Sequence, residues 1–342
     1  VVVGGKPNGR GVVAACSYEA REYGIRSAMP CAKAFRLCPE AVFVRGRMER
    51  YREVSAQIMT IFHQYTDLVE PLSVDEAFLD TTINKKGNPS ASILAREICE
   101  QIYKETGLTA SAGVSCNKFL AKVSSDINKP NGITVITPDN ALQFLDTLPV
   151  RKFFGVGKVT EEKMKKLGIT NGKILRTFSR ADLVRYFGKS GHFFYDIVRG
   201  QDNRPVQPTR ARKSIGSETT FQEDLIETDI LYSVLESLSG RIEKSMQKKD
   251  VHGFTLTLKV RYHDFTTITR SVTTSHPLRI SDDILEQIPR LMQATEAGRK
   301  AVRLLGLSIS KLQDNDKAAP VQLRLPFKRM LKQENHSLRK VK

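Results

Sequence analysis

Residues 254–262, FTLTLKVRY, alternate without a break: Phe254, Leu256, Leu258, Val260 and Tyr262 fall on one side, Thr255, Thr257, Lys259 and Arg261 on the other. Successive side chains of a strand point to opposite faces, so this pattern calls for a strand with one buried face and a polar, basic outer face. The apolar face needs a cover, and Ile230, Leu231, Val234, Leu235, Leu238 and Ile242 supply one at helical spacing. A further helix over about 281–298 and a strand over 303–311 complete an α+β unit spanning 214–312.

Upstream, QDNRPVQPTRARK (201–213) combines two prolines with four basic side chains and reads as an exposed linker. Residues 138–200 read as all-helical, in short pieces separated by glycines. Residues 48–137 mix helices (47–65, 92–104, 116–128) with strands (67–72, 76–82, 109–114, 133–136), as in a sheet covered by helices. In residues 1–47 a strand-like GVVAAC leads into a short helix, YEAREYG, which Gly24 stops. Beyond Leu312 the chain reads as a polar, largely disordered tail, 313–342.

Lys and Arg outnumber Asp and Glu by 54 to 37, a net charge of +17 spread along the chain. A distributed positive surface suits a polyanion better than a single membrane patch. No apolar run approaches the roughly 20 residues that span a bilayer. A secretory leader is not expected, and because Val1 is not Met the natural start is expected upstream. Cys16, Cys31, Cys38, Cys99 and Cys116 form no C-x-x-C pair, so reduced thiols in a cytoplasmic setting are expected and structural zinc is not.

Four segments carry candidate chemistry. In Ser73-Val74-Asp75-Glu76-Ala77-Phe78-Leu79-Asp80, neighbouring carboxylates interrupt an apolar strand, and burying them is costly unless a cation or donor meets them. They can share a ligand only near a strand end, where a turn relaxes the alternation; the plain alternative is a solvated hairpin tip. Tyr18 and Arg21 stand three apart on one face of a short helix, offering a hydroxyl and a phosphate-matching guanidinium, or else an ordinary surface pair. Lys129 precedes Pro130-Asn131-Gly132, a turn that fixes its direction. Phe153-Phe154-Gly155-Val156-Gly157 followed by Lys158 and a helix is a helix-hairpin-helix pattern. Its glycines let backbone N–H groups approach a DNA phosphate without reading sequence.

In this order the segments YEAREYGIRSAMP, PLSVDEAFLD, LTASAGVSCNKFLAKVSSDINKPNGI, FFGVGKVTEEKMKKLGI and RKSIGSETTFQEDL resemble the Y-family translesion DNA polymerases of DinB type, collinearly from about residue 10 to 311. The resemblance implies an α+β multidomain right hand. Its parts are fingers with a palm remnant (1–47), a palm of antiparallel sheet plus helices (48–137), an all-helical thumb (138–200), and a little finger (214–312) behind the linker. It further implies that Asp75 and Glu76 are catalytic and hold two magnesium ions, and that Tyr18, Arg21 and Lys129 bind the dNTP triphosphate. Gly155, Gly157, Lys158, Lys259 and Arg261 would then touch primer–template DNA. Gln322, Leu323, Leu325 and Phe327 in QLRLPF resemble the peptide by which bacterial polymerases dock on the sliding clamp. A monomer with no membrane association is expected.

The resemblance places a third, metal-bridging carboxylate and the residue that excludes ribonucleotides upstream of Val1. Residues 1–342 alone are therefore expected to be catalytically crippled, and the complete protein to polymerise. The small residues of Gly11–Ala15 imply weak steric selection at the nascent pair, hence low fidelity. The competing expectation is a non-catalytic, clamp-associated DNA-binding protein of polymerase ancestry. A helix-hairpin-helix glycosylase or nuclease leaves the Asp75 segment and residues 214–311 unexplained.

Overall fold

A computed structural model describes residues 1–315, which divide into two compact units: residues 1–45 together with 211 onward, and residues 46–210. The division falls inside the 201–213 segment.

The first unit opens with β1 (Val2–Gly4), β2 (Val13–Cys16), α1 (Tyr18–Glu22), α2 (Cys31–Leu37) and β3 (Phe43–Val44). The strands form a small sheet in the order β2-β1-β3, antiparallel between β1 and β2 and parallel between β1 and β3. Val2, Val13, Ala20, Ile25, Cys31 and Ala34 close its core. The Ser17 side chain caps α1 by accepting from the Ala20 N–H.

The second unit contains α3 (Met48–His63), β4 (Val69–Pro71), β5 (Ala77–Leu79), α4 (Ala91–Thr106), β6 (Ala112–Ser115), α5 (Lys118–Ser124) and β7 (Ile133–Ile136). Strands β4, β5 and β6 are shorter than the expected 67–72, 76–82 and 109–114, and β7 has the expected bounds. Of the two pairs where an antiparallel palm sheet is expected, β4–β5 is antiparallel and β6–β7 is parallel. The reason is α5, a helical crossover that returns the chain in the same direction. Gly113 allows α5 to lie close on β6, since a Cβ there would meet the Ala121 carbonyl oxygen at 1.9 Å. Short helices follow: α6 (Pro138–Thr147), α7 (Lys158–Lys166), α8 (Gly172–Thr177), α9 (Arg180–Phe187) and α10 (Lys189–Ile197). Their core runs through Leu145, Phe153, Met164, Leu175, Leu183 and Phe194 and reaches Phe119 and Leu120 of α5.

The first unit resumes with β8 (Ser214–Leu225), α11 (Thr228–Gln247), β9 (Val251–Tyr262), β10 (Thr267–Leu278), α12 (Ser281–Gln293), β11 (Val302–Ser310) and β12 (Gln313–Asp314). The antiparallel order is β10-β9-β11-β8, and β12 also pairs with β9. Leu231, Leu235, Leu238, Ile242 and Met246 of α11 pack with Ile284, Ile288 and Leu291 of α12 against Leu256, Leu258, Val260 and Tyr262. The expected alternation of β9 is realised from Leu256 to Tyr262, with Phe254 only half-buried.

Two sequence expectations are corrected. The tail does not begin at 313: Gln313 and Asp314 pair with His252 and Val251, and Asn315 is held by His252 Nδ1 at 2.7 Å from its Oδ1. The 201–213 segment lacks helix or strand but is not simply an exposed linker, because the Asp202 side chain is 3% exposed and bonded to the second unit.

Candidate functional site

Asp75 and Glu76 lie in the turn between β4 and β5, just before β5 begins. The Leu72 N–H donates to the Glu76 carbonyl at 2.8 Å, closing the turn. Asp75 is exposed, and its Oδ1 accepts from the Ser73 hydroxyl at 2.6 Å. Glu76 is half-buried and forms an ion pair with Lys122 Nζ at 3.1 Å. The acid pair thus has one member facing solvent and one fixed to α5.

From Glu76 the charges continue along a line. Lys122 Nζ also lies 3.7 Å from Asp126 Oδ2, and Lys129 Nζ is 2.5 Å from Asp126 Oδ1. Lys122 is 13% exposed and sits over the Phe154 ring at 5.9 Å. Burial acts to raise the Asp126 pKa. The Lys129 hydrogen bond and the charges of Lys122, Lys129 and Lys152 outweigh it and hold the carboxyl below its usual range. Lys129 is brought onto this line by the turn after α5. There Gly132 is required, because a Cβ would meet the Asn128 carbonyl oxygen at 2.0 Å.

A second acid–lysine pair lies nearby on the same elements. Glu70 of β4 accepts from Lys118 Nζ at 2.5 Å and from the Gln207 N–H at 2.8 Å. Asp202 accepts from the Phe119 N–H at 3.0 Å and from Arg204 Nε and Nη2 at 2.6 and 2.7 Å. For both carboxyls burial opposes ionisation, yet the cations and N–H donors keep each pKa below its ordinary value. Residues 200–207 are therefore fastened to the first turn of α5, the helix that carries Lys118 and Lys122.

The sequence reading singled out none of Lys118, Lys122, Glu70 or Asp202. The spacing Lys118, Lys122, Asp126 (every fourth residue) was the available signal, since it sets two lysines on one face of a helix with an acid one turn beyond the second.

Tyr18 and Arg21 belong to the first unit, on α1, with the Arg21 guanidinium 5.4 Å from the Tyr18 ring centre. Tyr18 is exposed. Asp75, Glu76 and Lys129 belong to the second unit.

In the helix-hairpin-helix segment, Gly155 has φ +93°, a conformation that other residues adopt only with strain. Gly157 precedes α7 with ordinary extended backbone (φ −83°), makes no side-chain cap, and a Cβ there would meet nothing within 4 Å. Folding does not demand that glycine, and the N–H groups opening α7 have no intrahelical acceptors. Lys158 is the first residue of α7.

On the open face of the large sheet, Lys259 pairs with Glu218 at 2.7 Å and Arg261 donates Nε to Thr267 Oγ1 at 2.8 Å. Around Lys259 this face is built from Thr257, Thr269, Gly306 and Ser308, which line a shallow depression of about 330 Å³. Gln322, Leu323, Leu325 and Phe327 lie outside the described residues.

Comparison with known proteins now decides the family. Residues 1–126 match the impB/mucB/samB family, 138–169 the HHH motif of the same family, and 212–325 its C-terminal domain. The chain is 51% identical over 312 residues to DNA polymerase IV of Alkalilimnicola ehrlichii, covering 91% of this chain and 88% of that protein. It is likewise 51% identical over 327 residues to DNA polymerase IV of Desulfotalea psychrophila, covering 96% and 87%. The chain belongs to the DinB-type Y family of DNA polymerases. Among solved structures, a Y-family DNA polymerase chimera of Dbh and Dpo4 matches over 92% of each chain with a TM-score of 0.83 at 26% identity. An insertion ternary complex of Dbh DNA polymerase matches over 92% of each chain with a TM-score of 0.63 at 25% identity. This Y-family chain is accordingly a DNA-directed DNA polymerase, a DNA-binding enzyme with a helix-hairpin-helix motif, mixed α+β in fold. Among its described residues, no helix is long and apolar enough to cross a membrane.

Proposed function

We propose that this Y-family polymerase adds dNTPs to a primer 3′-hydroxyl opposite damaged template, at low fidelity, with Asp75 and Glu76 as metal-binding carboxylates. The supporting observation is the line Glu76–Lys122–Asp126–Lys129, which sets an anchored acid and an anchored lysine on one side of the β4–β5 turn. The donor chemistry fits magnesium, which takes hard carboxylate and phosphate oxygens and keeps several waters. When bound, such ions activate the attacking hydroxyl and neutralise charge on the leaving pyrophosphate.

The protein's own contribution is positional. Lys122 holds Glu76 in one rotamer and keeps its charge directed at the turn. Lys129, and separately Tyr18 and Arg21, bind triphosphate oxygens and absorb charge, so no covalent intermediate is needed. Gly155, Gly157 and Lys158 hold the DNA backbone through the start of α7, and Lys259 and Arg261 do so from the open sheet face. In this reading residues 1–47, 48–137, 138–200 and 214–312 act as fingers, palm, thumb and little finger. Gln322–Phe327 tether the enzyme to the sliding clamp, raising the effective concentration of DNA.

Among the described residues no three His, Cys, Asp or Glu side chains group to hold a metal. Residues 1–342 alone are therefore proposed to extend primers poorly. The test is magnesium-dependent primer extension by residues 1–342, by the same chain extended at its N-terminus with the opening segment of a DinB-type relative, and by that longer protein carrying Asp75→Ala. Strong extension by the longer protein only, abolished by Asp75→Ala, is expected. Normal rates from residues 1–342 would remove the need for a third carboxylate, and an active Asp75→Ala variant would remove the metal role.

A further inference from the structure

The turn joining β9 to β10 presents a ring that the core does not use. Phe265 is 63% exposed and sits at φ +66°, a backbone conformation in which a bulky side chain is a true outlier. The turn is nonetheless well braced. The Phe265 N–H donates to the Tyr262 carbonyl at 3.0 Å, and the Tyr262 N–H donates to the Thr266 carbonyl at 2.9 Å. Asp264 accepts from the Thr266 N–H at 2.9 Å and from Lys300 Nζ at 2.7 Å.

One face of the ring is covered by the Arg303 guanidinium, 4.5 Å from the ring centre. The surroundings are cationic. Lys300 is answered by Asp264, and Arg10, reaching from the loop between β1 and β2, is answered by Asp224 at 2.5 Å. Arg261 and Arg303 form no ion pair among the described residues. The Arg10 hydrogen bond, with the charges of Arg10, Arg303 and His263 behind it, holds the Asp224 carboxyl below its usual range. Those groups therefore gather at one end of the sheet.

We infer that Phe265, backed by Arg303 and flanked by Arg261, is a stacking platform for an unpaired base of single-stranded DNA. The inference rests on the DNA-binding reading above. An aromatic face with an arginine behind it binds bases without regard to sequence, and neighbouring guanidinium groups track the phosphates. Away from its ends, duplex DNA buries its base faces and offers such a ring little to stack on. The braced turn fixes the ring before binding, so little conformational freedom is lost when a base arrives. For a polymerase, the single strand in question is the template beyond the primer end.

The test uses residues 1–342 and two fluorescent DNAs, a blunt duplex and the same duplex with a template overhang of roughly ten nucleotides. Phe265→Ala is expected to weaken binding of the overhang DNA about five- to tenfold, the low end of what one base stack contributes, and to leave the blunt duplex unchanged. Phe265→Tyr should bind both as the parent does. Phe265→Gly, which relieves the left-handed strain, should melt higher than the parent yet bind the overhang weakly. Equal losses on both DNAs, no loss on either, or a lower melting temperature for Phe265→Gly would each overturn the platform. A parent protein that binds the blunt duplex but gains nothing from the overhang overturns the platform and leaves the polymerase reading standing. One that binds neither DNA overturns both.

Discussion

Replacing Asp202 by Ala tests whether the segment joining the two units is fastened to α5. The carboxylate is 3% exposed and accepts from the Phe119 N–H at 3.0 Å and from two Arg204 nitrogens at 2.6 and 2.7 Å. These two sets of bonds differ in weight. Arg204 is 48% exposed, so on losing its partner it returns to water, and the screened ion pair contributes about 0–1 kcal/mol. The Phe119 N–H lies in the first turn of α5, where no intrahelical acceptor exists, and leaving it unpaired costs about 1–3 kcal/mol. The sum is roughly 1–4 kcal/mol, most of it from the helix N–H. For a unit of this size the melting temperature should fall by roughly 4–10 °C. Differential scanning calorimetry of Asp202→Ala beside Arg204→Ala checks the division, since Arg204→Ala should shift the transition by only about 2 °C. If both variants melt within about 1 °C of the parent, residues 201–213 behave as the free linker that their composition suggests, and the anchoring argument fails.

Three further outcomes follow from the same geometry. Gly155→Ala should destabilise the chain by about 1–2 kcal/mol in urea titrations because its φ is +93°, whereas Gly157→Ala should leave stability unchanged and weaken duplex binding. Glu70, Asp126, Asp202 and Asp224 all have pKa values below the ordinary range. The unfolded chain then binds more protons in acid, so their stabilisation is complete above the usual carboxylate pKa near ~4. It should fade as pH drops through the folded values, which urea midpoints between about pH 5 and 2 would register. DNA affinity should fall linearly on a log–log plot against salt, and a flat plot would contradict an interface made of basic side chains on phosphates.

Much of the fold was legible where one face of an element is buried and the other is not. The stripe of α11 and the alternation of β9 were plain because each carries a full apolar face. The strands β8 and β10 were harder to read, although each has twelve residues. Both are edge strands, and their outer face is the polar open side of the sheet. Only Ile215 of β8 and Leu278 of β10 are fully buried. A strand that touches water on one face and along one edge has little need of strict alternation, and TITRSVTTSHPL shows little. The strands β4, β5 and β6 are shorter than the expected 67–72, 76–82 and 109–114, whereas β7 occupies 133–136 as expected; Leu68 and Leu72, which suggest a longer β4, are exposed outside its ladder.

The acid pair was legible because Asp75 and Glu76 break an apolar pattern, and an interruption is visible in a string of letters. The lysines that answer the neighbouring acids were not, because lysines four apart on a helix ordinarily mark a solvated face. Here that face is covered: Lys118 and Lys122 are 11% and 13% exposed, and each lies over a phenylalanine, Phe78 and Phe154. A cation so enclosed is costly unless a carboxylate meets it, and Glu70 and Glu76, six residues apart across the β4–β5 turn, do so. The turn and α5 are thereby coupled through two ion pairs. Among the described residues, Asp75 is the acid at the turn that has no cation partner, and it faces solvent beside Ser73. Lys122 fixes Glu76 and offsets its charge, whereas Asp75 keeps its charge in water with one oxygen held by the Ser73 hydroxyl. That division accounts for why the chain can keep two acids side by side at an exposed turn without their mutual repulsion unravelling it.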